Sequence, residues 1–268
     1  MAKMLKIASI GSGLPIVFIH GWGLNSGVWQ PCIELLEDKY QVITVDMPGF
    51  GINVDYQLSP YSLEKIASTI HASVGQPAVY IGWSLGGMVA TEIACQFPES
   101  VKGLITVAST PCFVEKDTSD EQAYWPGIKA EVLALFHRQL EQDTQKTINN
   151  FLKIQAMGSP HLRDDIKLIR NLVMQYPLPS KETLDNSLKF LEQEDQRDML
   201  AKVSTPFLRM YGKLDGLVPK TVICQIDELA TQSEKVIFEK ASHAPFISNL
   251  TEFSDALTGW LDDLIANR

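Results

Sequence analysis

A serine in a glycine-bounded turn is the first residue whose surroundings suggest chemistry. Ser84 is the centre of residues 82–86, GWSLG, which follow an apolar run at 78–81 and precede a segment with helical spacing of apolar residues. In a G-x-S-x-G pattern between a strand and a helix, the sharp turn strains the serine backbone and exposes its hydroxyl. Gly82 and Gly86 suit this turn, since a Cβ at either position would clash across it. The pattern therefore predicts that Ser84 is a nucleophile.

A serine hydroxyl needs a base to accept its proton, and the base needs an acid to orient it. Of the five histidines, His243 follows the last predicted strand and is the candidate base. Asp215 lies in the loop after the predicted strand at 206–211 and is the candidate acid. Asp46 also ends a predicted strand, but it precedes Ser84 in the chain and is expected to hold the turn that follows it. The order serine, aspartate, histidine is that of the α/β-hydrolase arrangement.

The glycine-rich segment after the first core strand is the predicted oxyanion hole. Residues 20–23, HGWG, end that strand, and their glycines allow backbone N–H groups to approach a ligand closely. We expect the backbone N–H groups of Trp22 and Leu85 to hold the negative charge that develops when Ser84 attacks a carbonyl. Losing one such donor costs about 3 kcal/mol of transition-state stabilisation. His20 is expected to hydrogen-bond beneath this loop rather than to act in catalysis.

Short apolar runs alternate with segments of helical periodicity along most of the chain. This alternation, with strands that are apolar on both faces, predicts an α/β fold in which a mostly parallel sheet is covered by helices on both sides. The predicted strands are 16–19, 41–46, 78–81, 101–108, 206–211 and 235–238, and the predicted core helices are 62–74, 85–97 and 251–265.

The alternation stops in one long segment, where no strand pattern is found. Amphipathic helical stretches at 131–157 and 161–176 occupy this segment and are followed by Gly-Ser-Pro and Pro-Leu-Pro sequences. An all-helical insertion of this kind is expected to cap the carboxyl edge of the sheet, where α/β sheets bind ligands. We therefore predict a core formed by residues 1–111 and 188–268, with a helical cap at 112–187.

The composition disfavours several functional classes. The 268 residues are 45% hydrophobic, which argues against a disordered chain, and the formal net charge of −9 disfavours binding to nucleic acid or anionic lipid. No apolar run approaches the roughly 18 residues that span a bilayer, and residues 1–10 lack the apolar segment of a signal peptide. The four dispersed cysteines form no CxxC pair, which favours a reducing cytoplasm over a disulfide framework or a zinc site.

The chain resembles α/β-hydrolases throughout and, more closely, the pimeloyl-[acyl-carrier protein] methyl ester carboxylesterases of biotin synthesis. The catalytic motifs alone are shared with many esterases. The resemblance to this particular family depends on two stretches in the insertion, WPGI at 125–128 and QAMG at 155–158. The other matching stretches are HGWGLN at 20–25, GWSLGG at 82–87, PCF at 111–113, FL at 151–152, YG at 211–212, LDGLVP at 214–219 and APFIS at 244–248.

This resemblance implies a serine esterase that cleaves the methyl ester of pimeloyl-[acyl-carrier protein] through an acyl-enzyme on Ser84 and releases methanol. It implies an acyl carrier protein as partner, and we expect a cytoplasmic monomer that uses no cofactor and no metal. The triad does not specify the leaving group, so a general short-chain carboxylesterase or a hydrolase of carbon–carbon bonds stays an alternative. A non-catalytic receptor on the same fold is a further alternative, disfavoured because all three triad positions are filled.

The insertion carries a local excess of positive charge on an acidic protein. Arg163, Lys167 and Arg170 are spaced i, i+4 and i+7, so they share one face of a predicted helix. An ordinary solvated helix shows the same spacing, but such a face would also attract an acidic carrier protein. Together with the resemblance, the charges predict that Lys146, Arg163, Lys167 and Arg170 bind the carrier. Asn150 departs from the family, which often has Arg at that position.

Apolar residues near the nucleophile and in the insertion are candidates to bind the acyl chain. Trp83 adjoins the nucleophile, and Trp22 belongs to the predicted oxyanion loop. Packing of the cap against the core would account for the same residues, and both interpretations stay open. The candidates in the insertion are Phe113, Phe136, Phe151 and Met157.

Overall fold

A seven-stranded sheet forms the centre of the computed structural model, which describes residues 4–117 and 124–266. Its strands are β1 (Ile7–Ile10), β2 (Leu14–Ile19), β3 (Tyr40–Val45), β4 (Ala78–Trp83), β5 (Val101–Val107), β6 (Phe207–Gly212) and β7 (Glu234–Phe238). They lie in the order β1-β3-β2-β4-β5-β6-β7. Strand β1 is antiparallel to β3, and all other neighbouring pairs are parallel. The predicted mostly parallel sheet is therefore confirmed.

The six predicted strands are all present, and the structure adds β1. Strand β1 was not predicted because three of its four residues are exposed. It therefore lacks the continuous apolar run by which the other strands were recognised. Strand β4, in contrast, is buried along its whole length. The pairing of β2 with β4 sets Ile19 opposite Gly82, which brings the carboxyl ends of these two strands level with each other. The segments that follow them, 20–23 and 84–86, are thereby placed side by side.

Helices flank the sheet and also fill most of the interval between β5 and β6. The side chain of Ser62 accepts a hydrogen bond from the backbone N–H of Lys65, as a helix N-cap does. The helices are α1 (Gln30–Leu36), α2 (Leu63–Val74), α3 (Leu85–Gln96), α4 (Ala130–Gln142), α5 (Thr144–Ala156), α6 (Leu162–Val173), α7 (Lys181–Gln193), α8 (Arg197–Leu200), α9 (Lys220–Leu229), α10 (Pro245–Ser248) and α11 (Leu250–Ala266). Among the described residues, none of these helices is long and apolar enough to cross a membrane.

The long helical stretch expected at 131–157 is two helices. Asp143 adopts an extended conformation between α4 and α5, and its side chain accepts a hydrogen bond from the backbone N–H of Lys146 at 2.9 Å. Aspartate favours this N-cap position over a helix interior, because its carboxylate satisfies an N–H that the helix leaves unpaired. The amphipathic pattern continues across the break, which is why periodicity alone predicted one element.

The helices between β5 and β6 pack over the carboxyl edge of the sheet. The indole Nε1 of Trp22, which follows β2, donates to the carbonyl of Leu184 in α7 at 3.1 Å. Asn25 donates from Nδ2 to the carbonyl of Val173, the last residue of α6, at 2.9 Å. The division into core and cap stays a prediction: its boundary at residue 187 falls inside α7, and residues 118–123 lie outside the described part of the chain.

Candidate active site

Ser84 occupies a strained turn between β4 and α3. Its backbone angles are φ 55° and ψ −118°, a conformation that side-chain-bearing residues rarely adopt. Three hydrogen bonds hold its backbone there. Its N–H donates to the carbonyl of Val107 at 2.9 Å, and its carbonyl accepts from the hydroxyl of Ser109 at 2.8 Å and from the N–H of Gly87 at 2.9 Å. The turn expected from the G-x-S-x-G pattern is thus present.

The two glycines of this turn have no room for a side chain. A Cβ on Gly82 would lie 2.0 Å from the carbonyl oxygen of Gly86. A Cβ on Gly86 would lie 2.4 Å from the carbonyl oxygen of Ile19 and 2.6 Å from that of His20. These contacts are with backbone atoms, which cannot swing aside, so glycine is required at both positions.

Asp215 and His243 form a buried pair at the same edge of the sheet. Asp215 follows β6, and its Oδ2 lies 2.8 Å from Nδ1 of His243, which follows β7. The other carboxylate oxygen accepts from the backbone N–H groups of Leu217 at 2.8 Å and Val218 at 3.0 Å, which fixes the carboxylate plane. Since a carboxylate only accepts, Nδ1 carries the proton and Nε2 of a neutral ring is the free acceptor.

The second ring nitrogen of His243 is available. Nε2 is buried and has no hydrogen-bond partner in the part of the chain that the structure describes, so the hydroxyl of Ser84 does not bond to it in this state. Catalytic hydrogen bonds are often long before substrate binds and shorten in the complex. The ring is therefore ready to accept a proton at the atom that faces away from Asp215.

Trp83 connects the turn of Ser84 to the loop that carries His243. Its indole Nε1 donates to the backbone carbonyl of His243 at 2.8 Å, and the two rings lie 5.8 Å apart between centroids. Trp83 is completely buried. Its position next to Ser84 means that one side chain fixes the relative placement of strand β4 and the loop that carries His243.

The predicted oxyanion loop lies against Ser84. A Cβ built on Gly21 would lie 3.3 Å from the Cβ of Ser84 and 3.1 Å from the ring of Trp83. This contact places the neighbouring Trp22 beside the nucleophile turn. Leu85 is the first residue of α3, so its N–H is among those that the helix leaves unpaired. Both predicted donors thus belong to segments that meet at Ser84.

His20 supports this loop from below, as expected. Its Nδ1 donates to the carbonyl of Gly21 at 2.8 Å, and its Nε2 accepts from the N–H of Met47 at 3.1 Å. Burial lowers the pKa of His20, with a partial offset from the nearby carboxylate of Asp46, so the ring is neutral. Asp46 itself accepts from the backbone N–H of Ile52, which holds the turn after β3.

Aromatic side chains of the cap meet Trp22 above the site. The Trp22 and Phe151 rings contact edge to face at 4.7 Å between centroids, and Phe136 lies 5.5 Å from Phe151. Phe113 is buried. Met157 is 58% exposed at the end of α5, so in this state it does not join the buried aromatic cluster. Whether these residues hold an acyl chain stays a prediction.

One cap residue with an exceptional environment was missed by sequence reasoning. Gln155 in α5 is fully buried, and both polar atoms of its carboxamide have no hydrogen-bond partner in residues 4–117 and 124–266. Its backbone carbonyl accepts from the N–H of His243 at 3.3 Å. A buried amide without partners costs free energy unless it binds something. Only its place in the matched stretch 155–158 pointed to it.

The four predicted carrier-binding residues are all exposed. Lys146 lies on α5, whereas Arg163, Lys167 and Arg170 lie on α6. None of them takes part in an ion pair within the described residues, so their charges are not neutralised. The same part of the chain holds no group of three or more His, Cys, Asp and Glu side chains placed to bind a metal ion.

The chain belongs to the α/β-hydrolase family, whose model matches residues 15–250. Within that family it is similar to proteins named pimeloyl-[acyl-carrier protein] methyl ester esterase. One from Shewanella oneidensis is 46% identical over 257 residues, which cover 96% of this chain and 94% of the relative. One from Klebsiella pneumoniae is 42% identical over 250 residues, covering 93% of this chain and 94% of the relative. The resemblance found in the sequence is therefore confirmed.

Solved structures agree on the fold. An esterase from Exiguobacterium antarcticum superposes with a TM-score of 0.84 at 24% identity, covering 96% of this chain and 95% of the other. A hydrolase from Oleispira antarctica gives the same TM-score at 19% identity, covering 97% and 95%. At this level of identity, the likeness is evidence for the architecture alone.

Proposed function

We propose that this chain is a serine carboxylesterase that hydrolyses the methyl ester of pimeloyl-[acyl-carrier protein] to pimeloyl-[acyl-carrier protein] and methanol. The observation that carries the ester chemistry is the buried Asp215–His243 pair, with Nε2 unpaired, on a loop tied to the strained turn of Ser84. The names of relatives that are 42–46% identical over nearly the whole chain support the choice of ester and a role in biotin synthesis.

The proposed reaction has two halves. Ser84 Oγ attacks the ester carbonyl while Nε2 of His243 takes its proton, and Asp215 stabilises the imidazolium that forms. The tetrahedral intermediate collapses, the C–O bond to the methoxy group breaks, and His243 returns the proton so that methanol leaves. Water, deprotonated by His243, then attacks the acyl-enzyme. As the second tetrahedral intermediate collapses, His243 returns this proton to Ser84 Oγ, and the pimeloyl acid leaves and ionises to the carboxylate. No step needs a cofactor or a metal.

The negative charge of each tetrahedral intermediate falls to the backbone N–H groups of Trp22 and Leu85. Their segments meet at Ser84, and the amino-terminal end of α3 adds a favourable field for an anion. The acyl chain is assigned to the buried apolar residues next to the site, Trp22, Trp83 and Phe151, with Phe113 and Met157 as further candidates.

The proposed partner is an acyl carrier protein, which is acidic and presents the ester on a long arm. Lys146, Arg163, Lys167 and Arg170 give α5 and α6 an exposed, unpaired positive face on a protein of net charge −9. Such a face steers an acidic partner towards the cap in spite of the overall repulsion. We place the enzyme in the cytoplasm, as a monomer.

Ser84→Ala tests the ester chemistry. We expect Ser84→Ala to keep the fold and to lose turnover of both dimethyl pimelate and the carrier-bound methyl ester. Appreciable residual turnover would refute the assignment of the nucleophile. A biotin-requiring strain that lacks its own enzyme for this step then tests the pathway: the wild-type chain should restore growth without biotin, and Ser84→Ala should not.

A charge-reversal pair tests the carrier face separately. Arg163→Glu with Lys167→Glu should lower kcat/KM for the carrier-bound ester about ten-fold or more while leaving free dimethyl pimelate unchanged. Lys65→Glu with Lys202→Glu is the matched control, since both residues are exposed elsewhere and the change in net charge is the same. Equal losses on the two substrates, or equal losses in the two double variants, would refute carrier binding at this face.

A general esterase would share the same triad, so a substrate panel separates the alternatives. The proposal expects the carrier-bound pimeloyl methyl ester to be hydrolysed with higher kcat/KM than short acyl esters. A preference for short esters would favour a general carboxylesterase. A single turnover without steady-state turnover would favour the receptor alternative.

A further inference from the structure

The carboxyl-terminal end of α5 contacts both loops that carry the proposed acid and base. The helix belongs to the cap, and the loops belong to the core at the ends of β6 and β7. We propose that this end of α5 positions Asp215 and His243, so that the pair is competent only while the cap is seated on the core. This role rests on the proposed ester hydrolysis. The positioning groups are Gly158 and the backbone carbonyl of Gln155.

The first contact is with the loop of the base. The carbonyl of Gln155 accepts two hydrogen bonds, from the backbone N–H of His243 at 3.3 Å and from the hydroxyl of Ser242 at 3.1 Å. Residue 155 is in the last turn of α5, where carbonyls have no partner within the helix and are free to accept from elsewhere. All three residues are buried, so water does not compete for these bonds.

The second contact is with the loop of the acid. Gly158 ends the turn after α5 with φ +93°, and a Cβ on it would lie 2.6 Å from the carbonyl oxygen of Leu214. Leu214 precedes Asp215, and its own N–H donates to the carbonyl of Ala241 at 2.9 Å. The peptide before Asp215 is thus held between the cap on one side and the loop of His243 on the other.

The turn that makes this contact is itself fixed. Ser159 donates from its backbone N–H to the carbonyl of Ala156 at 3.0 Å and from its hydroxyl to the buried carboxylate of Asp165 in α6 at 2.5 Å. The end of α5 therefore cannot shift alone, because it is braced against the next cap helix. Displacing the cap would break both contacts, and the geometry of the acid–base pair would lose its support.

Gly158→Ala tests the contact directly. The added Cβ must push the Leu214 peptide away, which displaces Asp215 relative to His243. A displacement of about 1 Å in a catalytic group lowers kcat by about a hundred-fold, and we expect that loss with KM for p-nitrophenyl butyrate unchanged.

Gly75→Ala is the matched control. Gly75 has a similar positive φ of +65° at the end of α2, but the nearest atom that its Cβ would meet is a carbonyl oxygen at 3.8 Å. This variant also forces an alanine into a positive φ, but away from the site, and should keep the wild-type kcat and KM. If Gly158→Ala matched Gly75→Ala in kcat, the positioning role would be refuted.

Ser242→Ala tests the same positioning role if Gly158→Ala does not fold. Removing the hydroxyl takes away one of the two hydrogen bonds to the Gln155 carbonyl, and we expect kcat to fall about five-fold with KM unchanged. An unchanged kcat would overturn the proposal. Because the assay uses a small activated ester, a wild-type chain that hydrolyses no ester refutes the proposed function, whereas unaffected variants refute only the positioning role.

Discussion

The indole of Trp83 donates a hydrogen bond of 2.8 Å to the backbone carbonyl of His243, although the two residues are 160 positions apart. Trp83 is the last residue of β4 and precedes Ser84, so this bond joins the nucleophile turn to the loop of the base. The pair is buried, which makes the bond costly to lose. The spacing between Ser84, the proposed nucleophile, and His243, the proposed base, is thus set by the side chain of a third residue.

Trp83→Phe should keep the fold and lower kcat about five- to ten-fold, because a smaller aromatic ring still occupies the site while the hydrogen bond to His243 is lost. Steady-state kinetics with p-nitrophenyl butyrate measure the effect. Trp29→Phe is the control, since Trp29 packs in the same aromatic group and its Nε1 has no partner among the described residues. A loss of the same size in both variants would show that ring packing, and not the bond, is responsible.

Asp215→Asn should lower kcat about ten-thousand-fold without unfolding the protein. The asparagine oxygen still accepts from the N–H groups of Leu217 and Val218, which leaves its NH₂ facing Nδ1 of His243. That contact forces the proton of the ring onto Nε2, the atom that must accept from Ser84. Circular dichroism checks the fold, and a kcat within ten-fold of wild type would contradict the role of the acid.

These roles were predictable from the sequence to the extent that each depends on a local pattern. Ser84 lies in a turn whose glycines can be recognised without a structure, and Asp215 and His243 each follow an apolar strand. The carboxyl ends of parallel strands meet at one edge, so their proximity followed from the predicted sheet. Strand β1 was missed because its side chains are mostly exposed.

The contacts made by the cap could not be predicted in the same way. Gln155 and Gly158 contact the loops that carry Asp215 and His243 only because α5 ends above β6 and β7. Amphipathic periodicity does not show where a helix lies in the fold. The bond from Trp22 to Leu184 has the same origin. The break at Asp143, by contrast, was open to prediction, since aspartate is a preferred N-cap residue.

The stability of the protein should fall as the pH drops below about 6.5, the ordinary pKa of histidine, in part because of His20. Burial lowers the pKa of His20 in the folded state, although Asp46 lies 3.9 Å from its ring. The unfolded chain therefore binds the proton more readily, and the stabilisation present at neutral pH is lost as the pH falls through the lower folded value.

Urea unfolding of wild type and His20→Gln at several pH values measures this effect. A single titrating group changes the free energy of unfolding by at most about 1.4 kcal/mol per pH unit. Below pH 6.5 the free energy of unfolding should therefore depend less steeply on pH in His20→Gln than in wild type. Identical slopes would mean that His20 takes up its proton as readily in the folded as in the unfolded state. The hydrogen bond that it accepts from Met47 would then have to be absent.

Two glycine substitutions should have opposite effects on stability. Gly82→Ala places a Cβ 2.0 Å from the carbonyl oxygen of Gly86, and we expect it to lower the free energy of unfolding by about 3 kcal/mol. Gly259→Ala lies inside α11 with no atom within 4 Å of the new Cβ, and should raise that free energy by about 1 kcal/mol. Thermal melts measure both, and equal effects would contradict the packing described for the nucleophile turn.

Covalent labelling tests the central assignment, that Ser84 attacks with the help of His243. Wild-type protein treated with diisopropyl fluorophosphate should lose esterase activity in step with the gain of one adduct. Mass spectrometry of the digested protein should place that adduct on Ser84, and His243→Ala should label far more slowly. An adduct on another residue, or inactivation without modification of Ser84, would contradict the account.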